Sequence, residues 1–143
     1  MSALAWGVCC AVAVVCLALV MARWRLLETN AARAERASRP AALWDADLVY
    51  MERMFRISTP VGLVAKLDRA YRLPSGLIVL VELKTRWSNQ PLQSDVIQLS
   101  AQRMAMIGQT GHSVASHGYV MVKAPTRRAL PIAHRVQLMT DEQ

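Results

Sequence analysis

Two carboxylates and a lysine stand beside two adjacent apolar stretches of the chain. Glu82 and Lys84 directly follow the run LIVLV at positions 77–81, which is short, rich in apolar and β-branched residues and typical of a buried strand. Residues i and i+2 of a strand point to the same face, so the Glu82 carboxylate and the Lys84 ammonium are expected to project together. Asp68 lies on the preceding stretch, and the turn residues LPSG at positions 73–76 predict a hairpin that brings Asp68 close to Glu82.

A cluster of two carboxylates and a lysine at the end of an apolar strand carries a large desolvation cost. A bound metal ion or a phosphate would compensate that cost. The alternative is that Glu82 and Lys84 form an ordinary ion pair where the strand reaches solvent, which would contribute little.

The arrangement resembles the PD-(D/E)xK nuclease superfamily, and more specifically its RecB-like branch. In that family an acid on one strand and a hairpin are followed by Asp/Glu-x-Lys at the end of the next strand. Asp68 and the triplet Glu82-Leu83-Lys84, within GLIVLVELKTR, match this pattern. The resemblance implies that Asp68, Glu82 and the backbone carbonyl of Leu83 bind Mg²⁺ or Mn²⁺. It also implies that Lys84 positions or activates the attacking water.

Two further positions match the RecB-like pattern. Glu52 in LVYMERMFRI corresponds to an earlier acid on a helix that shapes the metal site, and Gln98 in SDVIQLSAQ to a glutamine that positions substrate or water. The chain departs from the pattern where the family often has tyrosine and proline, because Gln102 and Leu67 stand there. The departures keep an alternative open, in which a nuclease fold without catalytic activity binds DNA or a protein. The resemblance covers residues 47–123.

The N-terminal segment ALAWGVCCAVAVVCLALVMA, at positions 3–22, contains no charged residue. Its length matches the roughly 20 residues that a helix needs to cross a bilayer, so we expect a single-pass anchor over residues 1–22. Five arginines follow it and, by the positive-inside rule, place the C-terminal domain in the cytoplasm and the N-terminus outside the inner membrane: Arg23, Arg25, Arg33, Arg36 and Arg39. A buried core helix and a cleaved signal are the alternatives.

All three cysteines lie within this apolar segment, so the rest of the chain has none. Some RecB-like nucleases hold an iron–sulfur cluster through four cysteines, and for this chain we therefore expect no such cluster. The chain also lacks a Walker motif, so a helicase or translocase would be a separate partner.

The formal net charge is +7, which suits an anionic partner. Nucleic acid and the anionic inner leaflet both fit, and charge alone does not choose between them. Combined with the resemblance, the charge favours a membrane-anchored, metal-dependent nuclease that hydrolyses DNA phosphodiester bonds.

The expected fold is α/β, a small mixed β-sheet flanked by helices as in the restriction-endonuclease-like core, preceded by one transmembrane helix. Residues 23–42 are expected to form a helical juxtamembrane stalk, with a flexible charged linker as the alternative. In the domain over residues 43–143 we predict a helix at 43–55 that carries Glu52, then the hairpin. A helix from Pro91 to about Ile107 and two strands, GYVMVKAP and LPIAHRVQL, complete the order.

Overall fold

The structure is a computed structural model that describes residues 3–126 and 128–140, with side chains described from residue 12 onward. The chain divides into two compact units, Met1–Ser38 and Arg39–Gln143.

The first unit is one helix of 35 residues, α1 (Ala3–Ala37). The apolar segment and the predicted stalk are therefore continuous, which agrees with the strong helix formers in the stalk. Within the part of the chain that the structure describes, no helix combines the length and the apolar character needed to cross a membrane. The side chains of residues 1–11, half of the predicted anchor, lie outside the described ones.

The second unit contains a five-stranded mixed sheet and one long helix. A short 3₁₀ turn (Ala41–Leu43) precedes the sheet, whose strands lie in chain order β1-β2-β3-β4-β5. The β3–β4 pair is parallel and the other three pairs are antiparallel. The helix provides the crossover that a parallel pair requires. The elements are β1 (Asp47–Ile57), β2 (Leu63–Arg72), β3 (Ile78–Thr85), α2 (Gln93–Thr110), β4 (Val114–Lys123) and β5 (Ile132–Gln137). The predicted α/β fold with a small mixed sheet is confirmed.

The helix predicted over residues 43–55 is wrong, because most of that segment is strand β1. The near-helical spacing of apolar residues is not a core-facing stripe: Met51 and Met54 are about half exposed, whereas Phe55 is buried. Pairing with β2 along almost the whole strand, from Asp47 to Ile57, overrides the local pattern. Glu52 therefore stands on a strand and not on a helix, and its φ of 50° lies in the left-handed region.

Strand β3 separates two apolar clusters. Ile78 and Leu80 pack in the cluster that includes Leu99 of α2, whereas Val79 and Val81 pack in the cluster on the opposite face. This alternation follows the two-residue period of a strand. Glu82 and Lys84 continue the alternate positions that face α2, so the polar side chains near the end of β3 also lie on the α2 side of the sheet.

Helix α2 ends at a glycine, three residues beyond the predicted end near Ile107. Gly111 adopts the left-handed conformation with φ of 69° and donates its N–H to the carbonyl of Ile107 at 2.8 Å. This is the usual way in which a glycine closes a helix. Gly108 lies inside the helix, where a Cβ would come within 2.7 Å of the Ile57 side chain.

Candidate active site

The hairpin of β2 and β3 places Asp68 beside Glu82. The last paired positions are Arg69 and Val81, and the same register puts Asp68 across from Glu82. At this point the Asp68 Oδ2 accepts a hydrogen bond from the backbone N–H of Leu83 at 2.8 Å. Where the backbone pairing of the two strands ends, the Asp68 carboxylate thus acts as the hydrogen-bond acceptor for β3.

Glu82 is a carboxylate that is only 2% exposed and is surrounded by donors. Its Oε1 accepts a hydrogen bond from Gln98 Nε2 at 2.6 Å and lies 2.8 Å from Lys84 Nζ. Its Oε2 accepts from Gln102 Nε2 at 2.8 Å. Two amides and one ammonium therefore compensate the burial of this charge, which without partners would be strongly unfavourable.

Lys84, Gln98 and Glu82 each contact the other two. The Lys84 Nζ donates to Gln98 Oε1 at 2.8 Å while the amide nitrogen of Gln98 donates to Glu82. Because the Gln98 amide uses its oxygen toward the lysine and its nitrogen toward the carboxylate, its orientation is determined by its neighbours. The structure thus brings together Asp68, Glu82, Lys84 and Gln98, all four predicted catalytic residues.

Gln102 was identified in the sequence only as a departure from the family pattern, and the structure gives it a position in the site. Its Nε2 donates to Glu82 Oε2 and to the backbone carbonyl of Lys66, both at 2.8 Å. Its Oε1 is buried and has no hydrogen-bond partner in the described part of the chain. Gln98 and Gln102 are four residues apart and share one face of α2, which is the signal that could have indicated the pair.

An ion pair between the partly buried Arg86 and the buried Asp95 lies next to this group. The Arg86 Nη2 lies 2.6 Å from Asp95 Oδ2, and its Nη1 donates to Asp95 Oδ1 at 3.2 Å. Asp95 Oδ2 also accepts the N–H of Leu92 at 2.8 Å, and Oδ1 lies 4.0 Å from Lys84 Nζ. No local pattern marks this pair in the sequence, because its members belong to different elements.

The environment of the ion pair favours its charged form. Burial acts to raise the pKa of Asp95, but the hydrogen bonds from Arg86 and Leu92 and the charge of Arg86 outweigh it and lower that pKa. The hydrogen bond with Asp95 raises the pKa of Arg86 in turn, against a smaller opposing effect of burial. The pair therefore stays ionised over the range in which enzymes usually work.

Glu52 is the predicted site residue that the structure does not bring into the group. Its register position, between the pairs Met51–Arg69 and Arg53–Leu67, lies across from Asp68. Its carboxylate, about half exposed, forms an ion pair with Lys66. The hydrogen bond and the charge of Glu52 raise the pKa of Lys66. A role of Glu52 in metal binding stays a prediction.

The donor set of the site suits a hard divalent cation. Carboxylate and carbonyl oxygens are the ligands that Mg²⁺ and Mn²⁺ prefer. Within residues 3–126 and 128–140, no group of three or more His, Cys, Asp and Glu side chains is placed to hold an ion by itself. Two carboxylates, Asp68 and Glu82, with the Leu83 carbonyl would thus leave positions for water or phosphate, which is how Mg²⁺ usually binds in phosphoryl-transfer sites. The unpartnered Gln102 Oε1 adds a buried acceptor beside Glu82.

Comparison with known proteins identifies no family for this chain. No protein-family model matches it, and no curated protein matches it. Among solved structures, "Crystal structure of SSO0001" resembles it with a TM-score of 0.47 and 15% sequence identity over 88% of this chain. The matched region corresponds to 55% of that structure's chain.

Proposed function

We propose that residues 39–143 form a metal-dependent nuclease that hydrolyses DNA phosphodiester bonds. The observation that carries the proposal is the convergence of Asp68, Glu82, Lys84 and Gln98 at the point where β2 and β3 separate. Glu82 is almost fully buried there, 2.8 Å from Lys84 Nζ. Buried, mutually oriented ionisable groups are more typical of a functional site than of a surface ion pair.

Asp68, Glu82 and the carbonyl of Leu83 would hold the cation. When bound, the cation supplies a Lewis acid for a phosphate oxygen and for water. Lys84 would donate to the attacking water or to a phosphate oxygen whose negative charge grows in the transition state. Gln98 keeps the Lys84 ammonium in place and Gln102 keeps the Glu82 carboxylate in place, so the donors need little rearrangement when the substrate arrives.

The overall charge supports an anionic substrate. Lysine and arginine exceed aspartate and glutamate by 17 to 10, which gives the formal charge of +7. Binding to a phosphate backbone releases counterions and weakens steeply as the salt concentration rises.

A nuclease assay on the purified full-length chain tests the proposal. We expect cleavage of DNA that requires Mg²⁺ or Mn²⁺ and that Lys84→Ala abolishes, because this substitution removes a donor to the reacting groups. Arg72→Ala, which removes an exposed cation at the opposite end of β2, is the control and should cleave normally. Equal cleavage by the Lys84 variant and the wild type would contradict the assignment.

A binding module without catalytic activity is the second candidate. The observation in its favour is that both carboxylate oxygens of Glu82 already have protein partners, one of them from Gln102, where the RecB-like pattern often has tyrosine. This candidate predicts DNA or protein binding that chelator leaves unchanged, with no cleavage of single- or double-stranded DNA.

Attachment to the inner membrane through the uncharged segment at positions 3–22 is a separate proposal, supported by its hydropathy and by the arginines that follow it. We expect the full-length chain to sediment with membranes and to resist extraction at high salt and alkaline pH. A reporter that is active only in the periplasm, fused after Gln143, should be silent. Release of the chain by alkali would contradict a spanning helix.

A further inference from the structure

The loop between β3 and α2 carries an exposed indole on an ordered backbone. Trp87 is 76% exposed. Its neighbour Arg86 donates its backbone N–H to the carbonyl of Lys123 at 3.0 Å and its Nε to the carbonyl of Ser88 at 3.3 Å. The Asn89 side chain bonds to His134 of β5 at 3.0 Å. The residues on either side of Trp87 are therefore held by hydrogen bonds, and the indole is exposed although a tryptophan is usually largely buried.

A cavity of ≈ 230 Å³ lies beside the indole. This volume is below the range of about 300–1,000 Å³ typical of sites for drug-sized ligands and suits one flat group. Its lining combines apolar side chains with two polar ones: Trp87, Val122, Leu130 and Ile132, with Arg86 and Asn89. Leu130 is 79% exposed and Ile132 is 49% exposed, so the apolar surface is open to a partner.

The chain segments that line the cavity are basic. The described lining residues come from residues 86–89 and 122–132, which contain lysine and arginine but no aspartate or glutamate, and the buried Asp95 of α2 pairs with Arg86. An aromatic surface in a positively charged setting matches a nucleic acid, whose bases stack on aromatic rings while its phosphates contact cations.

Arg86 connects the cavity to the candidate active site. It lines the cavity and pairs with Asp95, and Asp95 Oδ1 lies 4.0 Å from Lys84 Nζ. Trp87 follows Lys84 by three residues, at most about 10 Å of extended chain, so a nucleotide next to a phosphate held at Lys84 would be within reach of the Trp87 ring.

We propose that Trp87 stacks on an unpaired base of a single-stranded nucleic acid whose backbone passes the Lys84 site. The proposal rests on the proposed nuclease function and specifies its substrate class. A base inside a duplex is covered on both faces by its neighbours, so only an unpaired base can place its face against the indole.

Oligonucleotide binding in the presence of chelator tests the stacking without any cleavage. We would measure the fluorescence anisotropy of a labelled single strand and a labelled duplex with the full-length protein. Trp87→Ala should weaken single-strand binding by about 5- to 100-fold, as expected for one lost stacking contact. Duplex binding should change by less than about twofold, since no duplex base reaches the ring. Trp87→Phe, which keeps an aromatic face, should retain most of the affinity.

Trp44→Ala is the matched control, because Trp44 is also exposed, at 68%, and lies before β1. Single-strand binding that is equal in the wild type and Trp87→Ala, or absent from the wild type, would overturn the proposal. An oligomer of the free protein that Trp87→Ala dissociates would also overturn it and assign the surface to a contact between two copies. Because chelator removes the metal, the binding measured here does not depend on whether the protein can cleave DNA.

Discussion

The Asp68 carboxylate accepts a hydrogen bond from the N–H of Leu83 at 2.8 Å. Asp68, a predicted metal ligand on β2, is thereby bonded to the middle residue of the Glu82-Leu83-Lys84 triplet on β3. The same side chain thus has a structural role and a proposed chemical role, and two different substitutions separate them.

Asp68→Asn should keep the structural role and lose the chemical one. An amide oxygen still accepts from the Leu83 N–H, so the free energy of unfolding should change by less than about 1 kcal/mol, whereas Asp68→Ala should cost about 1–3 kcal/mol by leaving that N–H without its acceptor. Both variants should lose Mn²⁺ binding, because both remove a charged oxygen. Urea unfolding and calorimetric titration with Mn²⁺ measure the two effects. Asp68→Asn that binds Mn²⁺ like the wild type would exclude Asp68 as a ligand.

Gln98→Ala should reduce DNA cleavage by about 10- to 100-fold, since a misplaced Lys84 ammonium no longer meets the reacting groups in the right geometry. Combined with Lys84→Ala, the substitution should add little, because both act through the same ammonium. Single-turnover cleavage rates of the two single variants and the double variant test the coupling. Gln93→Ala, on an exposed position of the same helix, serves as control. Fully additive losses would mean that Gln98 acts independently of Lys84.

Gln102→Met should lower the free energy of unfolding by about 1–3 kcal/mol. The methionine has a similar volume, but Glu82 Oε2 and the carbonyl of Lys66 both lose their donor. Removing the unpartnered Oε1 offsets part of this cost. Urea unfolding against Gln93→Met, an exposed change on the same helix, provides the measurement. An unchanged unfolding midpoint would show that Gln102 does not hold Glu82.

Asp95 should give the fold a stability that disappears in acid. Its pKa in the folded chain lies below the ordinary value of 3.8, so the contribution is fully present above about pH 4 and is lost as the pH falls through the lower, folded pKa. Asp95→Asn should remove this dependence and cost about 3 kcal/mol at neutral pH, because Arg86 is left without its partner. Urea unfolding from pH 7 to pH 2.5 tests the difference, with the exposed Asp45→Asn as control. Identical pH profiles of wild type and Asp95→Asn would contradict the ion pair.

Local patterns were sufficient for the part of the site that lies on one hairpin. The run of apolar residues before Glu82 and the turn at positions 73–76 each act over a few residues, and the structure has both features where they were predicted. Strand period alone places Glu82 and Lys84 on the same face of the sheet.

Long-range pairing determined the rest. β1 has apolar residues at helical spacing, but its hydrogen bonds are made with β2, a separate segment of the chain, and no local signal encodes them. The partners of Glu82 come from α2, and Asp95 meets Arg86 from another element, so their contacts depend on how the helix packs on the sheet. The residue types at 82, 98 and 102 were visible in the chain. Their convergence results from burial, because a carboxylate that the apolar strand carries into the interior requires donors there, and α2 supplies them.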